Sequence, residues 1–117
     1  GLRLGVVTNK SQAAADVLAR TLLAPFGFSA VLGNRDGVPV KPDPTLTFLA
    51  LRRLGVRPEE GAFVGDGETD VQTAKNAGMR CVSVLWGYRP REELAAAGAH
   101  VFAHTYAELQ ATLLGML

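Results

Sequence analysis

Ala62-Phe63-Val64-Gly65-Asp66-Gly67-Glu68-Thr69-Asp70 decides how the rest of this sequence is read. The run Ala62–Val64 is the length of a short buried strand, and a glycine-bounded acidic turn follows it. From Thr69 to Ala77 the residues Val71, Ala74 and Ala77 recur at helical spacing, and Gly78 stops the run. A strand, a turn and a helix therefore stand in that order. Asp66 hangs off the strand end, and Asp70 falls in the first helical turn. Gly65 and Gly67 let the chain reverse, so both carboxylates can face one point. Two hard oxygen donors converging at a strand end suit Mg2+, which takes one or two carboxylates and keeps several waters. A plain Asx turn with a helix cap fits the same residues, since acidic turns before helices are common.

The same unit repeats on both sides. Upstream, Leu2–Val7 reads as a buried strand, and Ser11 caps a helix with Ala14, Val17, Leu18 and Leu22 at helical spacing. Ser29–Leu32 is a short strand, and Gly33 to Gly37 a loop. Asp43 reads as an N-cap with Pro44 at the first helical position. Leu46, Leu49, Ala50 and Leu54 form the inward stripe of that helix, and Gly55 ends it. Downstream, Cys81–Leu85 is a strand. Pro90 opens a helix with Glu92 and Glu93 in its positive first turn, and Gly98 closes it. His100–Ala103 is a last short strand before the capping box Thr105-Tyr106-Ala107-Glu108. Five βα units in series predict an α/β domain: a three-layer, Rossmann-like parallel sheet with helices on both faces. Ligands of such sheets bind outside the carboxyl ends of the strands. The chemistry is therefore expected in the turns after Val7, Val64 and Leu85.

The turn after Val7 is Thr8-Asn9-Lys10-Ser11. A hydroxyl, a side-chain amide and free N–H groups meet there at a helix start, which makes an anion cradle; a turn in which Ser11 merely caps fits too. Further on, Val40-Lys41-Pro42-Asp43-Pro44 places a lysine before a sharp helix start, with Pro42 favouring an extended Lys41. That lysine can neutralise a phosphate as a point charge, or it is a solvated lysine before a capped helix. After Leu85, Trp86 and Tyr88 either line a substrate entrance or simply pack. His100 and His104 match no metal spacing and read as structural or solvent-facing. Cys81 reads as a small core residue, Arg89 as exposed near a helix start, and Arg52 and Arg53 as a solvated helix face.

Composition narrows the class. The chain has 117 residues, 48% of them apolar and 20% charged, with a net charge of +1. No basic run suggests a nucleic-acid track, and no apolar stretch nears the ~20 residues of a membrane span. A single cysteine, Cys81, allows no internal disulfide, so a reducing, cytoplasmic setting is expected. Gly1 in place of methionine fits a processed end, an expression scar or a cut from a longer parent.

The order of these signals carries a resemblance. Leu4-Gly5-Val6-Val7-Thr8, then Lys41 in Val-Lys-Pro-Asp-Pro, then Gly65-Asp66 with Asp70 four positions on, is similar to motifs two to four of the haloacid-dehalogenase-like hydrolase superfamily. The phosphoglycolate-phosphatase-like branch is closest, and Val82-Ser83-Val84-Leu85-Trp86-Gly87-Tyr88 also looks like the segment after its fourth motif. The resemblance implies Mg2+-dependent hydrolysis of a small phosphorylated metabolite through an aspartyl-phosphate. It implies that Thr8 and Asn9 hold phosphate oxygens, that Lys41 bridges phosphate and nucleophile, that Asp66 binds the metal, and that Asp70 supports it.

The family's first motif, Asp-x-Asp, supplies the nucleophile and the acid/base. Aspartates occur here only at 16, 36, 43, 66 and 70, no two of them two apart. The expectation is a single partial core domain over residues 1–117, with the nucleophile strand and the cap missing. The resemblance puts that strand between those ending at Thr8 and Asp66. The slot it leaves would make the isolated chain inactive, and either completed by missing sequence, domain-swapped or self-associated through the slot, or poorly stable. The alternatives are a phosphomutase, a dehalogenase, or a non-catalytic binding or regulatory module. A receiver-like signalling domain ranks low, because no acidic pair follows Leu2–Val7.

Overall fold

The structure is a computed structural model and describes residues 2–116. The elements are β1 (Leu4–Ser11), α1 (Gln12–Thr21), β2 (Phe28–Asn34), α2 (Thr45–Leu54), β3 (Ala62–Gly65), α3 (Glu68–Ala77), β4 (Arg80–Val84), α4 (Arg91–Ala96), β5 (Phe102–Ala103) and α5 (Tyr106–Gly115). Every strand pair is parallel, and strands alternate with helices, as the α/β reading requires. The strands pair in two groups, ordered β1-β2 and β3-β4-β5, as expected of a sheet that lacks one strand, and the chain divides into two compact units, Gly1–Pro58 and Glu59–Leu117. A sheet continues only where each strand has a neighbour on either side. Among the described residues, β1 pairs with β2 alone and β3 with β4 alone. These are the strands that the resemblance sets beside the Asp-x-Asp strand.

In the first unit, Val6 pairs with Val31 and Val7 with Leu32. Leu32, Leu46 and Ala50 form a buried cluster, with Val7, Val38 and Leu49 packed against them. The helical stripe of α2 thus meets the β-branched and leucine positions of the strands, which is what fixes that helix on the sheet. β1 begins two residues later than expected and runs on to Ser11, its pairing irregular between Val7 and Ser11. Thr8-Asn9-Lys10 is therefore the bulged end of a strand rather than a free turn. Ser11 still caps α1, its hydroxyl accepting from the Ala14 N–H at 3.2 Å. β2 likewise extends through Gly33 and Asn34, which were expected in the loop.

The strand ends are close at Gly33. A β-carbon built there would lie 2.6 Å from the Lys10 carbonyl oxygen and 2.8 Å from that of Ser11. Both obstacles are backbone, so no side-chain rotation relieves them. Gly33→Ala is therefore expected to lower stability by roughly 1–3 kcal/mol as overpacking, read from urea midpoints. An unshifted midpoint would show that the ends of β1 and β2 part freely.

At α2 the boundary falls one residue late, with Pro44 as N-cap. Asp43 still does the capping work: its carboxylate accepts from the Thr45 N–H at 2.9 Å and from the Thr45 hydroxyl at 2.6 Å. Those bonds hold the Asp43 pKa below its ordinary value. Gly55 and Gly78 end α2 and α3 in the left-handed conformation at φ 71°, as expected of C-terminal glycines.

In the second unit, Val82, Val84 and Ala103 are buried beneath Val101, Leu109, Leu113 and Met116. Two local readings shift. β5 is only Phe102–Ala103, because His100 lies in the loop with Nδ1 3.4 Å from the Gly98 carbonyl. The capping box is half formed: the Thr105 hydroxyl accepts from the Glu108 N–H at 3.1 Å. The Glu108 carboxylate reaches one residue further back, to the His104 N–H at 2.6 Å and ring Nδ1 at 3.0 Å. The backbone bond from His104 is the main cause of a lowered Glu108 pKa.

Candidate active site

In the first unit, Asn9 and Lys41 meet. The Asn9 side-chain oxygen accepts from the Lys41 N–H at 3.0 Å, and its NH2 donates to the Lys41 carbonyl at 3.3 Å. Both faces of the amide are matched, so the end of β1 is clasped to the segment before α2. A cis peptide joins Lys41 to Pro42. Thr8 is half-buried, and its hydroxyl accepts from the Lys10 N–H at 3.2 Å, which leaves its own O–H proton for another acceptor. Gln12, which the sequence reading passed over, secures this edge. Its side-chain oxygen accepts from Gly33 N–H at 2.8 Å and from the Arg35 guanidinium, while its NH2 donates to the Val31 carbonyl and the Asp16 carboxylate. A glutamine directly behind an N-cap serine is the only local hint of that role.

In the second unit, Asp66 stands at the end of β3 and Asp70 in the first turn of α3. Asp70 Oδ2 accepts from the backbone N–H groups of Asp66 at 3.2 Å and Gly67 at 3.3 Å. That bond pair fixes the acidic turn and also places a carboxylate at the positive end of α3. Space is tight: a β-carbon at Gly65 would lie 2.3 Å from Asp70 Cβ. The Asp66 carboxylate is exposed, and among the described residues it takes part in no hydrogen bond or ion pair. A carboxylate with no internal donor, beside one already braced, fits a cation that takes few protein ligands and keeps its waters. Among the described residues no group of three or more His, Cys, Asp or Glu side chains forms a closed metal cage. Asp66 and Asp70 are the residues here that could hold a hard cation such as Mg2+.

The turn after β4 carries the other candidates. Trp86 is 41% exposed and stacks on Tyr106, with ring centroids 4.6 Å apart at 48°, whereas Tyr88 stands fully in solvent. Arg89 pairs at 3.7 Å with both Glu68 and Glu93, exposed pairs that add little to stability. Burial pushes the Cys81 thiol pKa up, the Asp70 charge adds to it, and a bond to Ser83 opposes it. Such a thiol stays protonated and inert. Thr8, Asn9 and Lys41 thus belong to the first unit, and Asp66, Asp70, Trp86 and Tyr88 to the second.

Comparison with known proteins agrees with these features. The haloacid dehalogenase-like hydrolase family profile matches residues 1–84. A phosphoglycolate phosphatase of Salmonella choleraesuis is 38% identical over 109 residues, covering 93% of this chain and 43% of its own. The crystal structure of a candidate phosphoglycolate phosphatase from Lactobacillus delbrueckii subsp. bulgaricus superposes with a TM-score of 0.92 at 37% identity, covering 98% of this chain and 48% of that one. A CbbY variant from Rhodobacter sphaeroides, solved with xylulose-(1,5)bisphosphate, gives a TM-score of 0.78 at 33% identity, with 97% and 52% covered. The chain spans about half the length of these relatives.

Proposed function

The chain belongs to the haloacid dehalogenase-like hydrolase family, and on that premise we propose that it is the part of a phosphatase core that grips phosphate and Mg2+. The reaction is hydrolysis of a small phosphate monoester, with phosphoglycolate the favoured class. The observation that carries this reading is the exposed, unbonded Asp66 carboxylate beside the braced Asp70. Mg2+, when bound there, offsets repulsion between an anionic nucleophile and an anionic ester.

This chain's residues then bind and orient. Asp66 ligates the cation directly, and Asp70 holds the turn that presents it. Thr8 donates its hydroxyl proton to a phosphate oxygen. Lys41 supplies a positive charge to the phosphate, its backbone held by Asn9. The Asn9 amide, expected on the phosphate, acts in this reading through Lys41. Chemistry at phosphorus needs an Asp-x-Asp pair, which this sequence lacks. A carboxylate oxygen of the first aspartate attacks phosphorus. The ester P–O bond breaks, and the leaving alkoxide takes a proton from the second aspartate. Water, deprotonated by that second aspartate, then splits the aspartyl-phosphate to free phosphate and the first carboxylate. Positioning and charge account for most of the rate.

Among the described residues β1 pairs only with β2 and β3 only with β4, and such unpaired edges invite a second copy of the chain. Among the described residues no helix is long and apolar enough to cross a membrane, and a single half-buried thiol suits a reducing cytoplasm. The test is turnover of phosphoglycolate and a panel of phosphate esters with Mg2+. We expect none from these 117 residues and clear hydrolysis from a longer protein that adds an Asp-x-Asp strand. Robust turnover by the short chain would overturn the assigned chemistry.

A further inference from the structure

We propose that Gly87 is a positioning residue, whose missing side chain fixes where the Asp66 carboxylate stands. The role in metal binding rests on the reading of Asp66 as a ligand; the role in placing Asp66 rests on geometry alone. A β-carbon built on Gly87 would lie 2.4 Å from Asp66 Oδ2, 2.7 Å from its Cβ and 2.9 Å from its Cγ. Gly87 is not among the glycines with positive φ, so its backbone is open to any residue and only the space demands glycine. Rotation about χ1 of Asp66 would carry Oδ2 and Cγ away, but it cannot move Cβ. A side chain at 87 therefore forces one backbone segment to shift.

The segment that carries Gly87 is anchored. Leu85 N–H donates to the Ala103 carbonyl at 3.0 Å, and Trp86 stacks on Tyr106. The Asp66 turn is held by bonds from Asp66 and Gly67 N–H to Asp70 Oδ2 at 3.2 and 3.3 Å, and from Asp70 and Val71 N–H to the Gly67 carbonyl at 3.2 and 3.3 Å. These bonds are each longer than the one that anchors Leu85, so a methyl at 87 displaces the acidic turn. Gly65 seats Asp70 from the other side, since a β-carbon there would collide with Asp70 Cβ, Cγ and Oδ2. The two carboxylates thus sit in a mould shaped by two absent side chains. The strand β4, next to β3 in the sheet, supplies half of it through its following turn.

The experiment uses the full chain and Tb3+ as an oxygen-seeking probe, competed with Mg2+. Trp86, the single tryptophan, is adjacent to Gly87 and sensitises Tb3+ emission. Gly87→Ala is expected to weaken Tb3+ and Mg2+ binding roughly tenfold or more, the scale of lost ligand support. It should also shift the backbone amide resonances of Asp66 and Gly67 while those of β4 and β5 stay in place. Unmoved Asp66 and Gly67 signals overturn the proposal whether or not metal binds. If Asp66→Ala weakens binding and Gly87→Ala leaves it unchanged, the proposal falls and the metal reading stands. If Asp66→Ala and the unaltered chain bind alike, the metal reading falls, and the amide signals alone decide Gly87. Should Gly87→Ala unfold the chain, Asp66→Gly combined with Gly87→Ala removes the clashing atoms and is expected to refold. An unfolded double variant would overturn the steric argument.

Discussion

Asp66→Ala, placed in a longer protein that supplies the Asp-x-Asp strand, is expected to cut kcat/KM for phosphate-ester hydrolysis by roughly two to three orders of magnitude, about 3–4 kcal/mol of transition-state stabilisation. The variant should remain folded. The bonds that hold the turn run from the backbone N–H groups of Asp66 and Gly67 to Asp70, and an alanine keeps both. Among the described residues the Asp66 carboxylate supports nothing structural. Its loss is therefore a loss of charge at the strand end, not of packing. Raising Mg2+ should recover part of the rate, because the remaining carboxylate still favours the cation weakly. A variant within twofold of the starting rate would remove Asp66 from the mechanism.

Leu46→Ala is expected to have the largest effect on stability, about 2–5 kcal/mol by urea denaturation. Leu46 is 0% exposed and packs with Leu32 and Ala50 in a buried cluster of the first unit. A two-stranded sheet with two helices has few apolar residues to share the loss, and a small domain has only ~5–15 kcal/mol in total. The same leucine lies in the first turn of α2, directly behind Asp43 and the clasped Lys41. Its truncation should therefore loosen the lysine segment as well. A loss under about 1 kcal/mol would mean that this core collapses onto the cavity.

The local readings succeeded where the physics is local. Gly55 and Gly78 end helices because a left-handed residue costs glycine nothing. Ser11, Asp43 and Thr105 cap because a short side chain reaches an N–H two or three residues on. Asp70 reaches the backbone N–H of Asp66 because four residues across a tight turn bring them together. The misses are long-range. Nothing near Asn9 signals that its amide is matched to a backbone 32 residues away. Nothing in Trp86-Gly87-Tyr88 tells which aromatic stacks on Tyr106, or that the glycine lies against Asp66. The extension of β1 through Thr8-Asn9-Lys10 was hidden as well, since polar residues at a bulged strand end look like a turn.

What this amino-acid order determined unaided is the alternation of strand and helix, the caps, and the chemical character of three turns. Each depends on neighbours within about one helical turn, where period, φ and hydrogen-bond reach decide. Tertiary structure alone decided that the Asn9 amide is matched to the Lys41 backbone, and that Gly65 lies against Asp70 and Gly87 against Asp66. Those outcomes depend on which distant surfaces exclude each other's atoms. Excluded volume between remote segments leaves no period in the sequence to be read.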